Sequence, residues 1–373
     1  MKKTLTAMAV LGTFAGGALA ANVELYGLID ESILHSNGKV VDANGGTTRL
    51  HKNELFSGLI AGPRVGLKGT EDLGNGWKVG FVLENGFDID NGAFGQGGLL
   101  FGRESVLTLE GDIGKFYAGR ISTIACDGGS IGILQHASPF GNSFGEVASM
   151  YLSTGSQFAR YDNTIAYIAP TMNGLQMSAM YSMGAQGEEN KASTDRYAVV
   201  GMKYANGPLT AVGTVEYTVY GHNAGEDVDN GLSVIVGGNY KLDNGVGLYG
   251  KVNYFDQVKT IGDVYSNPEF DVISVFEKAH GAKSYDGYGL ELAATVPAGG
   301  GNVLVGAGYR AAEADTGAQT YDIDRYNVAV GYMYSVSKRT TLYGIAGYAQ
   351  EEVKDTSIES KIYQAGVGVI HTF

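Results

Sequence analysis

Tryptophan and cysteine occur once each in the 373 residues, as Trp77 and Cys126, and proline only six times. A lone cysteine excludes a disulfide framework and any all-cysteine metal site. Basic residues are also scarce: 26 Lys and Arg stand against 39 Asp and Glu, for a net charge of −13. That balance lacks the basic face that nucleic-acid phosphates require, so no nucleic-acid partner is expected. The six histidines (35, 51, 136, 222, 280 and 371) are scattered without metal-ligand spacing, and neither a metal nor a cofactor is expected. No apolar run after residue 20 reaches the length of a membrane-crossing helix.

Glycine, by contrast, contributes 58 residues, about 16% against a usual share of about 7%. Tyrosine, at 24, outnumbers phenylalanine, at 14. The mean hydropathy of −0.04 would suit a soluble protein. A lipid-embedded barrel gives the same average, because lipid-facing and lumen-facing residues alternate and cancel. The N-terminus bears on this choice. Lys2 and Lys3 precede a mostly apolar stretch from Leu5 to Ala15, and Ala18-Leu19-Ala20 is a small-x-small cleavage site. Residues 1–20 therefore read as a signal peptide for export, and 21–373 as one domain without an internal linker.

The dominant pattern has period two. Tyr288, Leu290, Leu292, Ala294 and Val296 alternate with Gly287, Gly289, Glu291, Ala293 and Thr295. Tyr326, Val328, Val330, Tyr332 and Tyr334 do the same against Arg325, Asn327, Ala329, Gly331 and Met333. Such stretches are strands with one apolar and one polar or small face. Sixteen are expected: 22–34, 61–71, 77–86, 99–110, 114–121, 158–169, 175–184, 195–205, 208–219, 231–242, 246–256, 284–296, 302–313, 323–336, 339–350 and 360–373.

Their connections alternate between two kinds. Short ones carry turn residues, as in Asn173-Gly174 and Asp243-Asn244-Gly245, which supply the positive φ of tight hairpins. Long ones are polar and acidic, as in 221–230 and 257–283. Turns at one end and loops at the other describe an antiparallel transmembrane β-barrel of the outer-membrane kind. A soluble sandwich would need its apolar stripes to face one shared core, whereas aromatics clustered near strand ends fit lipid. The last strand presents Tyr363, Ala365, Val367, Val369, His371 and Phe373 on one face, and it must pair with the first to remove both edges.

Several segments resemble the sixteen-stranded general porins of Gram-negative proteobacteria. They are Val23-Glu24-Leu25-Tyr26-Gly27-Leu28-Ile29-Asp30, the run from Arg64 to Gly74, Gly119-Arg120, Arg160 to Tyr167, Tyr332 to Thr340, and His371-Thr372-Phe373. They occur in the family's order along the whole chain after residue 20. The resemblance implies a homotrimeric, water-filled outer-membrane channel for ions and small hydrophilic solutes, and no enzyme. It also implies that the 36-residue connection 122–157 is a third loop folded into the barrel, since Ser138-Pro139-Phe140-Gly141 looks like the family's loop signature.

Selectivity in such a pore comes from width and from charges at the narrowest point. The acidic side is expected from Asp127 and Glu146 on the loop, and the basic side from wall residues of lumen parity. Val65 and Leu67 face lipid, which turns Arg64 inward; Trp77, Val79 and Phe81 face lipid, which turns Lys78 and Glu84 inward. Ile165 and Tyr167 likewise turn Arg160 inward, and by resemblance Arg64 and Arg160 match arginines of the family's basic wall. Arg120 stands where strand gives way to loop, a further candidate whose direction parity does not set. In 99–110 the alternation puts Arg103 on the lipid side and Glu104 in the lumen, unless a bulge shifts the register. Glu216, Lys251, Glu291, Arg310 and Arg325 also point inward by parity.

Acidic residues in the outer loops, among them Glu188, Glu189, Glu226, Asp227, Glu351 and Glu359, suit either a solvated rim or cation bridges to lipopolysaccharide. The net charge and Glu104 together imply a weak preference for cations. Gly141-Asn142-Ser143-Phe144-Gly145 matches a hydrolase pattern, yet it lies in a Gly-rich loop without the strand and helix that pattern needs. Gly306 to Ala311 matches a loose dinucleotide pattern inside an alternating strand. Cys126 is expected as a free thiol. A substrate-specific channel, or an outer-membrane enzyme or adhesin built on a barrel, is the alternative.

Overall fold

The computed structural model describes residues 22–141, 145–148, 154–155, 160–184, 191, 193–221, 229–261 and 271–373, and the side chain of Glu146 lies outside that description. The expected signal peptide also lies outside it. Seventeen strands form one sheet. They are β1 (Asn22–Val41), β2 (Thr47–Ser57), β3 (Arg64–Gly74), β4 (Trp77–Gly86), β5 (Glu104–Gly111), β6 (Gly114–Ser122), β7 (Arg160–Ile168), β8 (Leu175–Ser182) and β9 (Arg196–Asn206). The rest are β10 (Leu209–Val219), β11 (Gly231–Lys241), β12 (Gly247–Val258), β13 (Ser284–Ala298), β14 (Gly301–Asp315), β15 (Thr320–Ser335), β16 (Thr340–Val353) and β17 (Glu359–Thr372).

All pairings are antiparallel, and β17 pairs with β1 from Leu28↔Thr372 to Val41↔Glu359, so the sheet closes into a barrel. β1 is shared along its length. Its first part pairs with β3, Asn22↔Thr70 through Leu28↔Arg64. Its second part pairs with β2, Glu31↔Ser57 through Val41↔Thr47. The barrel therefore has sixteen staves, with β2 as an extra strand above β3.

The sixteen-stranded barrel is the one expected, and β2 is one strand beyond it. β1 spans 20 residues, about 66 Å at ~3.3 Å per residue, far beyond an apolar band of about 25 Å. The β1–β2 hairpin projects past lipid, so Thr47 to Lys52 carry no apolar face and leave no alternation to detect.

The skin is apolar and the bore is polar. Val236 and Val367 are each 61% exposed, and Leu107, Val252 and Leu292 are also open on the outside. Their inward neighbours include buried Glu216, Lys251, Asn253, Glu291 and Arg310. In water such a continuous apolar skin would drive aggregation; in lipid it is the ordinary solvent-facing surface. Among the described residues no helix is long and apolar enough to cross a membrane.

Turns are tight where the sequence supplies positive φ, as at Asn173 (51°) and Gly174 (83°) between β7 and β8. The long connection after β12 departs from the expected polar loop. It contains a helix, Val272–His280, capped by the Asp271 carboxylate on the Ile273 and Ser274 amides. Its Val272, Ile273 and Phe276 pack on Phe255, Tyr285, Ile323 and Val353 of the inner wall.

Barrel closure depends on one glycine. The Gly27 and Phe373 backbones exchange hydrogen bonds, each 3.1 Å. A Cβ at Gly27 would lie 2.2 Å from the Phe373 ring and 2.8 Å from the Arg64 carbonyl oxygen. Gly27→Val is expected to separate β17 from β1 and abolish the fast-migrating folded band on an unboiled gel. Gly128→Ala, where a Cβ meets nothing within 4 Å and the backbone is not left-handed, should keep that band.

Candidate functional site

After Ser122 the chain turns into the lumen and follows the inner wall. Ile124, Ile131, Ile133, Leu134 and Ala137 pack on Val106, Met180, Val199, Val212 and Ile235. These five wall residues have lumen parity, where a water-lined bore would carry polar groups. Their apolar character is the sequence signal for where the loop rests. The Asn239 amide then donates to the His136 carbonyl at 2.8 Å. Ser138 donates to Glu291, which pairs with the buried Lys251 at 3.2 Å. Further on, Phe140 enters a cluster with Leu59, Leu304 and Ile345, and the Asn327 amide donates to the Val147 carbonyl at 3.0 Å. The Asn253 side-chain oxygen accepts from the Gly155 amide at 2.7 Å.

Lumen glycines admit this path. A Cβ on Gly347 would stand 2.7 Å from the Val147 side chain, and one on Gly306 2.6 Å from the Phe140 ring. The loop thus touches the wall from β5 to β17. Its backbone bonds mainly to itself and to lumen side chains, which a lipid-facing loop could not do.

A second, shorter segment also bends inward. Asp30 is fully buried, and its carboxylate accepts from the Ile60 amide (2.8 Å), the Ala61 amide (2.7 Å) and the Tyr343 hydroxyl (2.5 Å). Three donors offset the cost of burying that charge. This strap places Leu59 against Phe140 and leads directly into Arg64.

The charged cluster lies beside the beginning of the loop. Arg103, 8% exposed, pairs through Nε with Glu84 Oε1 at 2.6 Å, and the Tyr26 hydroxyl donates to the other Glu84 oxygen at 2.9 Å. Glu104, 2% exposed, accepts from the amide and hydroxyl of Ser130 on the loop, at 2.6 and 2.5 Å. Arg64 is within electrostatic reach of Arg103, Glu84 and Arg160, and Arg160 within reach of Arg103, Glu84 and Glu104. The structure thus brings Arg64 and Arg160 together.

It also adds Arg103, which the alternation had assigned to lipid. The physical reason is the start of β5. The strand begins at Glu104, not at 99, so strand parity does not extend back to Arg103. The Arg103 amide instead donates to the Glu84 carbonyl, and both side chains enter the bore.

The other candidates separate. Arg120 donates to the Gly102 carbonyl and pairs with Asp162 at 2.7 Å, next to a bulge between Gly119 and Ile121. Asp127 lies under Gly141 of the same loop and within electrostatic reach of Lys251. Lys78 is exposed at the turn end, in register with Asp72 and Glu110, and does not join the cluster. The Glu146 backbone lies in a one-turn helix, Gly145–Ala148.

Glu351, expected in an outer loop, is buried in β16 and bridges Arg310 and Arg325. Glu188, Glu189, Glu226 and Asp227 lie outside the described residues. Cys126 is buried and forms no disulfide.

Comparison with known proteins agrees with this architecture. Residues 5–355 match the family model described as Gram-negative porin. An outer membrane porin protein of Bordetella pertussis is 32% identical, with all of both chains covered. Outer membrane porin protein 32 of Delftia acidovorans is 28% identical, over 98% of this chain and 95% of its own. Among solved structures, the anion-selective porin from Comamonas acidovorans superposes with a TM-score of 0.68 at 23% identity, covering 95% of this chain and all of that one. A trimer form of OmpT, an outer membrane protein of Vibrio cholerae, gives 0.60 at 17% identity, with 95% and 100% coverage.

Two outcomes follow for the loop. Phe140→Ala should cost about 3–5 kcal/mol of seating and cavity energy. Hydrogen exchange is then expected to accelerate across 124–148 while the strands stay protected. His136 is the second lever. Burial, with help from Lys203, pushes its imidazole below the usual histidine value. The seated loop therefore binds a proton less readily than a released one. Seating is fully favoured above about pH 6.5 and weakens as pH falls through that value. Faster loop exchange between pH 7.5 and 5 is expected, and His136→Gln should flatten that change.

Proposed function

The chain belongs to the Gram-negative porin family, an outer-membrane protein and not an enzyme, and on that premise we propose that it forms a water-filled channel for passive diffusion of ions and small hydrophilic solutes. The observation that carries this reading is a charged cluster beside a loop held inside a polar bore. Such a site offers no nucleophile or base in reacting geometry. It offers a field: fixed charges in a region of restricted water sort solutes by charge and dipole.

The sign of that field differs from the one the composition suggested. Cation preference rested on the net charge of −13 and on Glu104 facing the bore without Arg103. With Arg103 inside, Arg64, Arg103 and Arg160 stand against Glu84 and Glu104, an excess of one positive charge. Local charge governs a narrow pore more than distant surface charge, which salt screens within about 8–10 Å. The channel therefore prefers anions. The description of the Comamonas acidovorans porin as anion-selective agrees.

Export through cleavage after Ala20 and assembly as a homotrimer in contact with outer-membrane lipid and lipopolysaccharide complete the proposal. The alternation of apolar skin and wet bore supports the contact with lipid, the Ala18-Leu19-Ala20 motif the cleavage, and the family resemblance the trimer.

Planar bilayers test both parts. Step-like conductance is expected, and in a tenfold KCl gradient the reversal potential should carry the sign of anion preference. Arg103→Gln should move it toward cations. Silent bilayers would refute the channel, and a wild-type cation preference would refute the assigned sign.

A further inference from the structure

We propose that the pocket between the inner loop and the turn-end wall is a binding subsite for a small hydroxylated carboxylate, with Lys203 taking the anionic group. The inference builds on the channel reading, because its solute enters by the bore. The pocket has a volume of about 550 Å³, within the usual range for small-molecule sites. Lys115 and Tyr117 of β6, Gln176 of β8 and Lys203 of β9 line it together with Ile133 and Gln135 of the loop, and two carboxylates, Glu110 and the exposed Asp112, line it as well.

Lys203 singles out this place. Its parity with Tyr197 and Val199 turns it inward, opposite to the exposed Val200 and Met202. It is half-buried and forms no salt bridge among the described residues. The other inward cations nearby are compensated: Lys115 pairs with Glu110 at 3.3 Å, Arg120 with Asp162, and Lys251 with Glu291. Lys203 is thus the lining cation left without an ion pair among the described residues, and a bound anion can supply its counter-charge in a charge-assisted hydrogen bond.

The remaining lining narrows the chemistry. Gln176 donates to the Ala169 carbonyl at 3.3 Å, which leaves its oxygen available, and Gln135 is exposed to the pocket. Two amides recognise hydroxyls. Ile131, Ile133 and the Tyr117 ring, with the Lys115 ammonium 5.3 Å from its centroid, form an apolar floor for C–H faces. An inorganic anion would use the lysine alone. A neutral sugar would use the amides and leave the ammonium uncompensated. A sugar acid uses both, so the site takes an organic anion beside Ser130, the loop residue that also donates to Glu104 of the charged cluster.

D-gluconate is the probe, with glucose and chloride as comparisons. Binding is read by saturation-transfer NMR on the detergent-solubilised, folded protein, which requires no flux. Saturable gluconate binding is expected, with glucose at least tenfold weaker and chloride competing poorly. Lys203→Gln should weaken gluconate about tenfold and leave the folded gel mobility unchanged, since Lys203 makes no bond that the fold uses. Gln135→Ala, on the loop, should weaken it less. Wild-type protein without saturable binding, equal binding of glucose, or a Lys203→Gln protein that binds as wild type would each overturn the proposal. Silent bilayers combined with Lys203-dependent binding would refute the channel reading and leave the subsite standing.

Discussion

A polypeptide in hydrocarbon has no water to satisfy its peptide groups, and a sheet that closes on itself is one of only two solutions to that constraint. The pairing of β1 with β17 supplies the closure. Everything else adapts to it. Alternation puts valine and leucine outside and glutamate, lysine and arginine inside, so the molecule buries charge where a soluble domain would bury methyl groups. The buried charges are tolerable because they are paired. Glu351 holds both Arg310 and Arg325, and Glu291 holds Lys251. Removing one partner would leave the other uncompensated, at a cost far above the worth of a surface ion pair.

Closure also makes an inner surface on which chain segments can fold. The loop after β6, the strap held by Asp30 and the helix Val272–His280 are three separate uses of it. Each is matched by a local exception to the polar bore. Val199, Val212 and Ile235 lie under the loop, and Phe255, Ile323 and Val353 under the helix. The wall is thus a mosaic: apolar where a segment rests, charged where the passage remains. The charged cluster and the Lys203 pocket meet at one point of the loop, where Ser130 donates to Glu104 and also lines the pocket. A solute drawn by the first meets the second along the same wall.

Much of this was legible in the linear chain. Periodicity of two located the sixteen staves to within three residues, because each has one face against lipid, except at the outer end of β1 and the start of β5. The turn residues Asn173-Gly174 marked a hairpin by the dihedral angles they adopt. Arg64 was readable because Val65 beside it fixes its parity, whereas a bulge with positive φ at Asn163 separates Arg160 from Ile165 and turns Tyr161 onto the inner wall, so alternation alone did not set Arg160. Where lipid exerts no pressure, the signal vanished. β2 projects beyond the bilayer with polar residues on both faces, and Arg103 precedes the first paired residue of its strand, so neither carries an alternation that could be read.

The amino-acid order alone determined the barrel and its closure, because lipid contact imposes a pattern on neighbouring residues; the inward course of the longest loop was implied only by the family resemblance. Which charges meet was decided only in three dimensions. Glu84 and Arg103 are 19 residues apart and meet across the β4–β5 pairing, and Ser138 and Glu291 are 153 apart and meet where the loop lies on the inner wall. Coulomb energy depends on distance through space, and strand parity records only the side of the wall on which a residue stands.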